Sequence, residues 1–169
     1  MRSHIRLLGH SVHQMLVVFP LGLLATAVVF DIIFLATHND VMAAVSYWMM
    51  AAGIVGGLLA APFGLIDWLA IPKGTRAKRI GAMHGAGNAV VSLLFIGSWF
   101  ARPDARSDPG SLALTLSFSG ALLALVTAWL GGELVSRLGI GVSDAASVDA
   151  PSSLDHAGPV PKHASSARR

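Results

Sequence analysis

Five ionisable side chains interrupt long apolar stretches of this sequence: His13, Asp31, Asp67, His84 and Glu133, with Asn88 one helical turn after His84. An ionisable group inside a bilayer is costly, so each is a candidate functional residue by default. Two neutral imidazoles from different helices can hold a haem iron axially. His13 and His84 are therefore the candidate cofactor-binding pair, with haem b as the cofactor. The same pair could begin a metal site, but such a site needs a third ligand, which Asp67 could supply. The plainer alternative makes His13 an interfacial histidine and lets His84 hydrogen-bond Asp67 or a backbone carbonyl. No catalytic residue is assigned. The chain has no cysteine, which removes disulfides, thiolate catalysis and Cys-type zinc sites. No Gly-x-Ser-x-Gly or His-Glu-x-x-His pattern points to a hydrolase.

The elements that must position these groups are membrane spans. The chain is 54% hydrophobic and 12% charged, where a soluble domain has about a quarter of its residues charged. Its charges are segregated, leaving four long apolar segments at about 12–37, 41–71, 80–101 and 111–138. About 20 apolar residues cross a hydrocarbon core. Ala25-Thr26-Ala27 resembles a signal-peptide cleavage site, but the apolar run continues to Ala36, so a span is the better reading. The expected fold is all-α, an up-down antiparallel bundle of four transmembrane helices. A basic head (1–11) precedes it, and a tail (139–169) follows. From Val142 the tail has almost no large apolar side chains and is expected to be disordered. His156 and His163 in it read as solvated residues. Pro62 should kink the second helix, and Gly139 and Gly141 should end the fourth.

Small residues recur four apart: Gly53, Gly57 and Ala61; Gly56, Ala60 and Gly64; Gly120, Ala124, Ala128 and Gly132. In a bilayer such ladders let helices approach closely, within one bundle or between copies. A homo-oligomer or a membrane-complex partner is therefore expected beside the lipid bilayer itself. The charges fix the topology. The basic head, the loop PKGTRAKR and the Arg-ended tail share one side, and the positive-inside rule makes that side cytoplasmic in the inner membrane. The same pattern accounts for the net charge of +3 without nucleic acid.

Four helices then bring a polar group to one level near the cytoplasmic face: His13, Asp67, His84 with Asn88, and Glu133. Asp67 lies on the glycine face of its helix and should point inward. His84, Asn88 and Ser92 form a stripe unsuited to lipid. Glu133 should pair with Arg137 four residues on. Asp31, about 27 Å from His13 along one helix, is assigned to the outer surface. One haem near one face cannot relay charge across about 30 Å of hydrocarbon. Transport is a third reading, using Asp31 and Asp67 at opposite faces, although the middle of the bundle is apolar.

Three stretches resemble a bacterial membrane family catalogued as domain of unknown function 2231. His13-Gln14-Met15-Leu16-Val17-Val18-Phe19-Pro20 is similar to its opening His-Pro-x-x-Val-His-Phe-Pro. Phe63-Gly64-Leu65-Ile66-Asp67-Trp68 and the His84 to Asn88 spacing resemble its middle motifs. Gly131-Gly132-Glu133-Leu134-Val135, with Gly139-Ile140-Gly141-Val142, resembles its closing one. Gln14 replaces a proline of that pattern and Val18 a second histidine. The resemblance, over about Gly9 to Val142, implies a four-span membrane protein and no particular activity. The expected role is a non-enzymatic membrane component whose polar cluster fixes packing or docks a partner, with the haem or metal site as the alternative.

Overall fold

The computed structural model describes residues 1–154. His156 and His163 lie outside them, as does the rest of the expected tail from residue 155 on. Two short strands, β1 (Arg6–Leu7) and β2 (His10–Ser11), pair antiparallel in the head. Their turn has positive φ at Leu8 (49°) and Gly9 (87°), the backbone that a two-residue hairpin turn demands. Helices follow: α1 (Val12–Leu16), α2 (Val18–Thr37), α3 (Asp40–Ala70), α4 (Arg76–Ala101) and α5 (Gly110–Gly132). A π-helical turn, Glu133–Arg137, extends α5. The first expected span is thus divided at Val17. Pro20 has no N–H to give to the Leu16 carbonyl, so the hydrogen-bond ladder breaks one turn ahead of it. α3 runs unbroken through Pro62.

The ends are set by local chemistry. His38 closes α2 in the left-handed region, and the Asn39 side chain accepts from the Val41 N–H to start α3. Thr75 starts α4 by accepting from the Lys78 N–H. Lys78 then stays at the bundle. Its ammonium donates to the Trp68 carbonyl at 2.7 Å and sits 4.0 Å from the Trp68 ring centre. Gly139 and Gly141 end the last helix with φ of 64° and 80°.

Four helices are long and apolar enough to cross a membrane, and the burial pattern agrees. Leu93 is 67% and Leu125 71% exposed, an apolar exterior suited to lipid. Most of the fully buried positions are instead small or polar: Ala27, Ser46, Ser98, Ala113 and Ser117 have no exposure, with Met50 the large apolar exception. With lipid as apolar as leucine, close packing and interhelical hydrogen bonds drive assembly. Ser98 Oγ accordingly donates to the Ala113 carbonyl at 2.7 Å.

The bundle is built from two hairpins, α1/α2 with α3 and α4 with α5, which pack tightly within themselves and more loosely on each other. α2 and α4 run the same way and sit diagonally, each flanked by α3 and α5. The hairpins share one register. Gly53 of α3 faces Leu24, and Gly120 of α5 faces Phe95. His13 rests on Gly64, and His84 lies against Gly131. In both hairpins the glycine facing the histidine lies 11 residues beyond the one facing the apolar side chain. The α3 ladder is therefore spent within the chain, on Leu24, Phe19, Pro20 and His13.

The head and the start of the tail meet across one end of the bundle. The Met1 amino group donates to the Gly139 carbonyl, and Gly141 N–H donates to the Met1 carbonyl. Ser153 Oγ reaches the Leu8 carbonyl.

Candidate functional site

The two histidines are held alike. His13 Nδ1 lies 3.0 Å from the Ala60 carbonyl oxygen, and His84 Nδ1 lies 2.9 Å from that of Thr127. A carbonyl only accepts, so each Nδ1 carries a proton and each neutral ring keeps its lone pair on Nε2. The carbonyl comes four residues before the glycine under the ring in both cases: Ala60 and Gly64, Thr127 and Gly131. A Cβ on Gly64 would stand 2.7 Å from His13 Cε1, and one on Gly131 would stand 3.1 Å from His84 Cε1. Glycine is what admits each ring to its carbonyl.

Asn88 differentiates them. Its Oδ1 accepts from Thr127 Oγ1 at 3.0 Å, which orients the amide, and its Nδ2 donates to the His84 carbonyl and to His84 Nε2 at 3.2 Å. Ser92 continues the stripe by donating to the Asn88 carbonyl. His13 Nε2 makes no hydrogen bond among the described residues.

Asp67 meets neither histidine. Its carboxylate accepts from Ser3 Oγ at 2.7 and 2.9 Å, from the His4 N–H at 3.1 Å and from Ser11 Oγ at 3.4 Å. It is the anchor of the head. Among the described residues no three His, Cys, Asp or Glu side chains come together as a metal site, so the three-ligand set of His13, His84 and Asp67 is not assembled. Glu133 also differs from expectation. It pairs with Arg76 at 2.8 Å, across to the start of α4, and not with Arg137. The cause is the π-helical turn: Leu138 N–H bonds the Glu133 carbonyl five residues back, which rotates Arg137 away from the i, i+4 position.

The largest correction concerns Asp31. It is not on the outer surface but fully buried at the end of the bundle away from the termini. Arg102, the residue after α4, folds inward and binds it through two nitrogens, at 2.9 and 2.7 Å. Both side chains are at most 1% exposed. Ser46 and Ser117 donate to the same carboxylate. This paired geometry is the strong form of an arginine–carboxylate contact. Arg102 lies just past the third expected span, at about 80–101, yet a signal was present. Arg102 follows His84 by the same 18 residues that separate Asp31 from His13. The ion pair therefore joins equivalent positions of the two hairpins. Equivalent residues of two like units touch only near the axis that relates them, so the pair marks a pseudo-two-fold axis along the bundle.

The transport reading needed Asp31 and Asp67 available at opposite faces. Both carboxylates are saturated by partners in the chain. What the terminal end offers chemically is a pair of oriented imidazoles, one with a free Nε2, on the two diagonal helices.

No curated protein and no solved structure matches this sequence. A family model described as a predicted membrane protein (DUF2231) matches residues 9–144. That stretch holds both histidine–glycine contacts, the Asp31–Arg102 pair, Asp67 and Glu133, while the Asp67 partners Ser3 and His4 precede it. With most of its length matched, four spans and both hairpins inside the matched region, the chain belongs to the DUF2231 family of predicted membrane proteins.

Proposed function

We propose that this protein is a non-enzymatic component of the inner membrane, with both termini cytoplasmic. Its polar groups near the termini lock hairpins and head into a rigid face that docks a second copy or a membrane partner. One observation carries the reading. His13, Asp67, His84, Asn88 and Glu133 are each engaged by a partner within the chain. Groups committed to such contacts define a shape. The test is cross-linking in native membranes from single cysteines introduced at Arg79 and Arg137, which the cysteine-free chain makes clean. A discrete cross-linked species supports docking at this face, and random low-yield products refute it. Membrane-impermeant maleimide on intact cells should label a cysteine at Pro103 and spare one at Lys73. The reverse pattern would invert the topology.

A second reading is favoured by the matched histidines. Fixing Nδ1 on a carbonyl while leaving Nε2 as the lone-pair nitrogen is how proteins present imidazole to a metal. His13 and His84, on diagonal helices, would be the residues to hold a haem b, which would supply redox chemistry there. His84 would first have to leave Asn88. A spectrum of the purified protein, oxidised and then dithionite-reduced, after expression with a haem precursor, separates the readings. A Soret band lost in His13→Ala and His84→Ala supports haem and sinks the purely structural role. A colourless protein at full yield ends the haem reading.

A further inference from the structure

The bundle end away from the termini carries a groove that the docking reading does not use. It holds about 340 Å³ and runs along one face of α3 past Val41, Ala44, Val45, Trp48 and Met49. Ala105 and Arg106, from the loop between α4 and α5, close its end. The apolar wall is about 12 Å long from Val41 to Met49, most of the depth of one leaflet of a core about 30 Å thick. It opens toward lipid, since Val41 and Trp48 are both more than half exposed. Trp48 packs edge-on against Tyr47, which stacks on Trp99, an aromatic cluster of the kind found at membrane–water boundaries.

The charges at the mouth identify a headgroup. Arg102 is spent on Asp31, but the Arg106 side chain has no ion-pair partner among the described residues. Its position is set by the loop. Arg106 N–H donates to Asp104 Oδ1 at 2.7 Å, and Ser107 Oγ donates to Asp104 Oδ2 at 2.7 Å. Asp104 is thus an anion beside the cation, and Asp40 adds a second next to Val41. Asp108 accepts from Gly110 N–H and completes the acids of this loop. A purely anionic headgroup on Arg106 would have Asp104 and Asp40 close by. A headgroup with phosphate and ammonium matches both signs.

We propose that this groove binds a phosphatidylethanolamine-type phospholipid, one acyl chain along α3, phosphate on Arg106 and primary ammonium toward Asp104 and Asp40. A second groove, lined by Leu16, Phe19, Leu23 and neighbouring apolar residues, has no charged side chain and selects no headgroup.

The test uses the full chain reconstituted in vesicles of equal phosphatidylethanolamine, phosphatidylglycerol and phosphatidylcholine with matched chains. Retained lipid is then read by native mass spectrometry. Wild type should keep phosphatidylethanolamine over each competitor by about fivefold, the scale of one interfacial charge. R106Q should lower retention of all three lipids, which share the phosphate, and R106K preserve it. D40N/D104N should erase discrimination between the ethanolamine and glycerol headgroups. A44W, which fills the groove, should lose the retained lipid altogether, with circular dichroism confirming the helices. Equal retention of all three lipids, preference for phosphatidylglycerol, or retention that R106Q leaves unchanged would overturn the proposal.

Discussion

Asp31→Asn is the substitution whose cost the structure sets best. It keeps the shape of the side chain and removes the carboxylate that Arg102 binds. The two nitrogen–oxygen contacts, 2.9 and 2.7 Å, are charge-assisted bonds. Such bonds contribute about 1.5–3 kcal/mol each. An asparagine retains at most one acceptor for them, and the guanidinium is left charged and uncompensated. Breaking a buried pair in this way costs about 3–5 kcal/mol. Replacing both partners by leucine removes the charge along with its solvation demand. D31L/R102L should therefore fall within about 1 kcal/mol of wild type. The assay is unfolding in mixed micelles by titrated dodecyl sulfate, followed by circular dichroism, on wild type, both single variants and the double. The expected signature is non-additivity: the double loses far less than the sum of the singles. Two results refute the reasoning. Additive losses mean no coupling between the side chains. An unaffected D31N means that Arg102 swings out to the interface on its long stem, so the pair is not a clamp.

Three further substitutions probe the rest of the frame. Gly64→Ala places a Cβ 2.7 Å from the His13 ring, so the ring must leave the Ala60 carbonyl. It should destabilise the protein by about 1–3 kcal/mol, more than Gly131→Ala, whereas Gly132→Ala meets no neighbour within 4 Å and should be tolerated in the same titration. Asp67→Ala removes the acceptor for Ser3, His4 and Ser11. Hydrogen exchange of residues 3–11 should accelerate while α2 and α4 keep their protection, and an unchanged head would show that the hairpin alone holds it. Ser107→Ala should raise the Asp104 pKa. That carboxyl is held below its ordinary value first by the Ser107 hydroxyl and then by the Arg106 N–H. A depressed carboxylate pKa means the loop contact is present above the ordinary value and is lost as pH falls through the folded one. Carboxyl-carbon NMR titration reads the shift directly, and an unmoved pKa would refute the assignment.

Four spans were legible because apolar length and charge segregation are properties of composition. They need no knowledge of which side chain meets which. The level of His13, Asp67, His84 and Glu133 followed from the same count of residues along each helix. Partner choice did not follow. Glu133–Arg137 has the right spacing for an α-helical pair, but the backbone there widens into a π-helical turn that no side chain announces. Asp67 sits on the glycine-rich side of α3, yet it lies so close to the helix end that the head, and not another helix, covers it. Arg102 was misplaced because a cation after a span belongs in water unless a buried anion waits for it. That anion lies 71 positions earlier in the chain.

The matched contacts of the two hairpins show why the sequence hid what the packing reveals. From His13 to Asp31 and from His84 to Arg102, equal spacing leads to residues of opposite charge, and almost nothing between them is identical. What the two hairpins share is a set of sizes and contacts: a ring on a glycine, a Leu24 or Phe95 on the next glycine, an Ala27 or Ser98 with no exposure. Lipid-facing positions accept any apolar residue, so they drift freely. Contact positions are constrained by volume, which many residue types satisfy. The axis positions are constrained differently. Two identical charges there would repel in a low-dielectric interior, so the two positions cannot both be Asp or both be Arg. Opposite charges at 31 and 102 are the arrangement by which one chain can bury ionised groups on its own axis. That places the asymmetry of the protein at its most buried point. It also predicts that D31R/R102D will be better tolerated than either single charge reversal, since the swap exchanges equivalent positions and restores a neutral pair. If the swap is as damaging as D31R alone in the same micelle titration, the hairpins are not equivalent and the axis is an accident of contact.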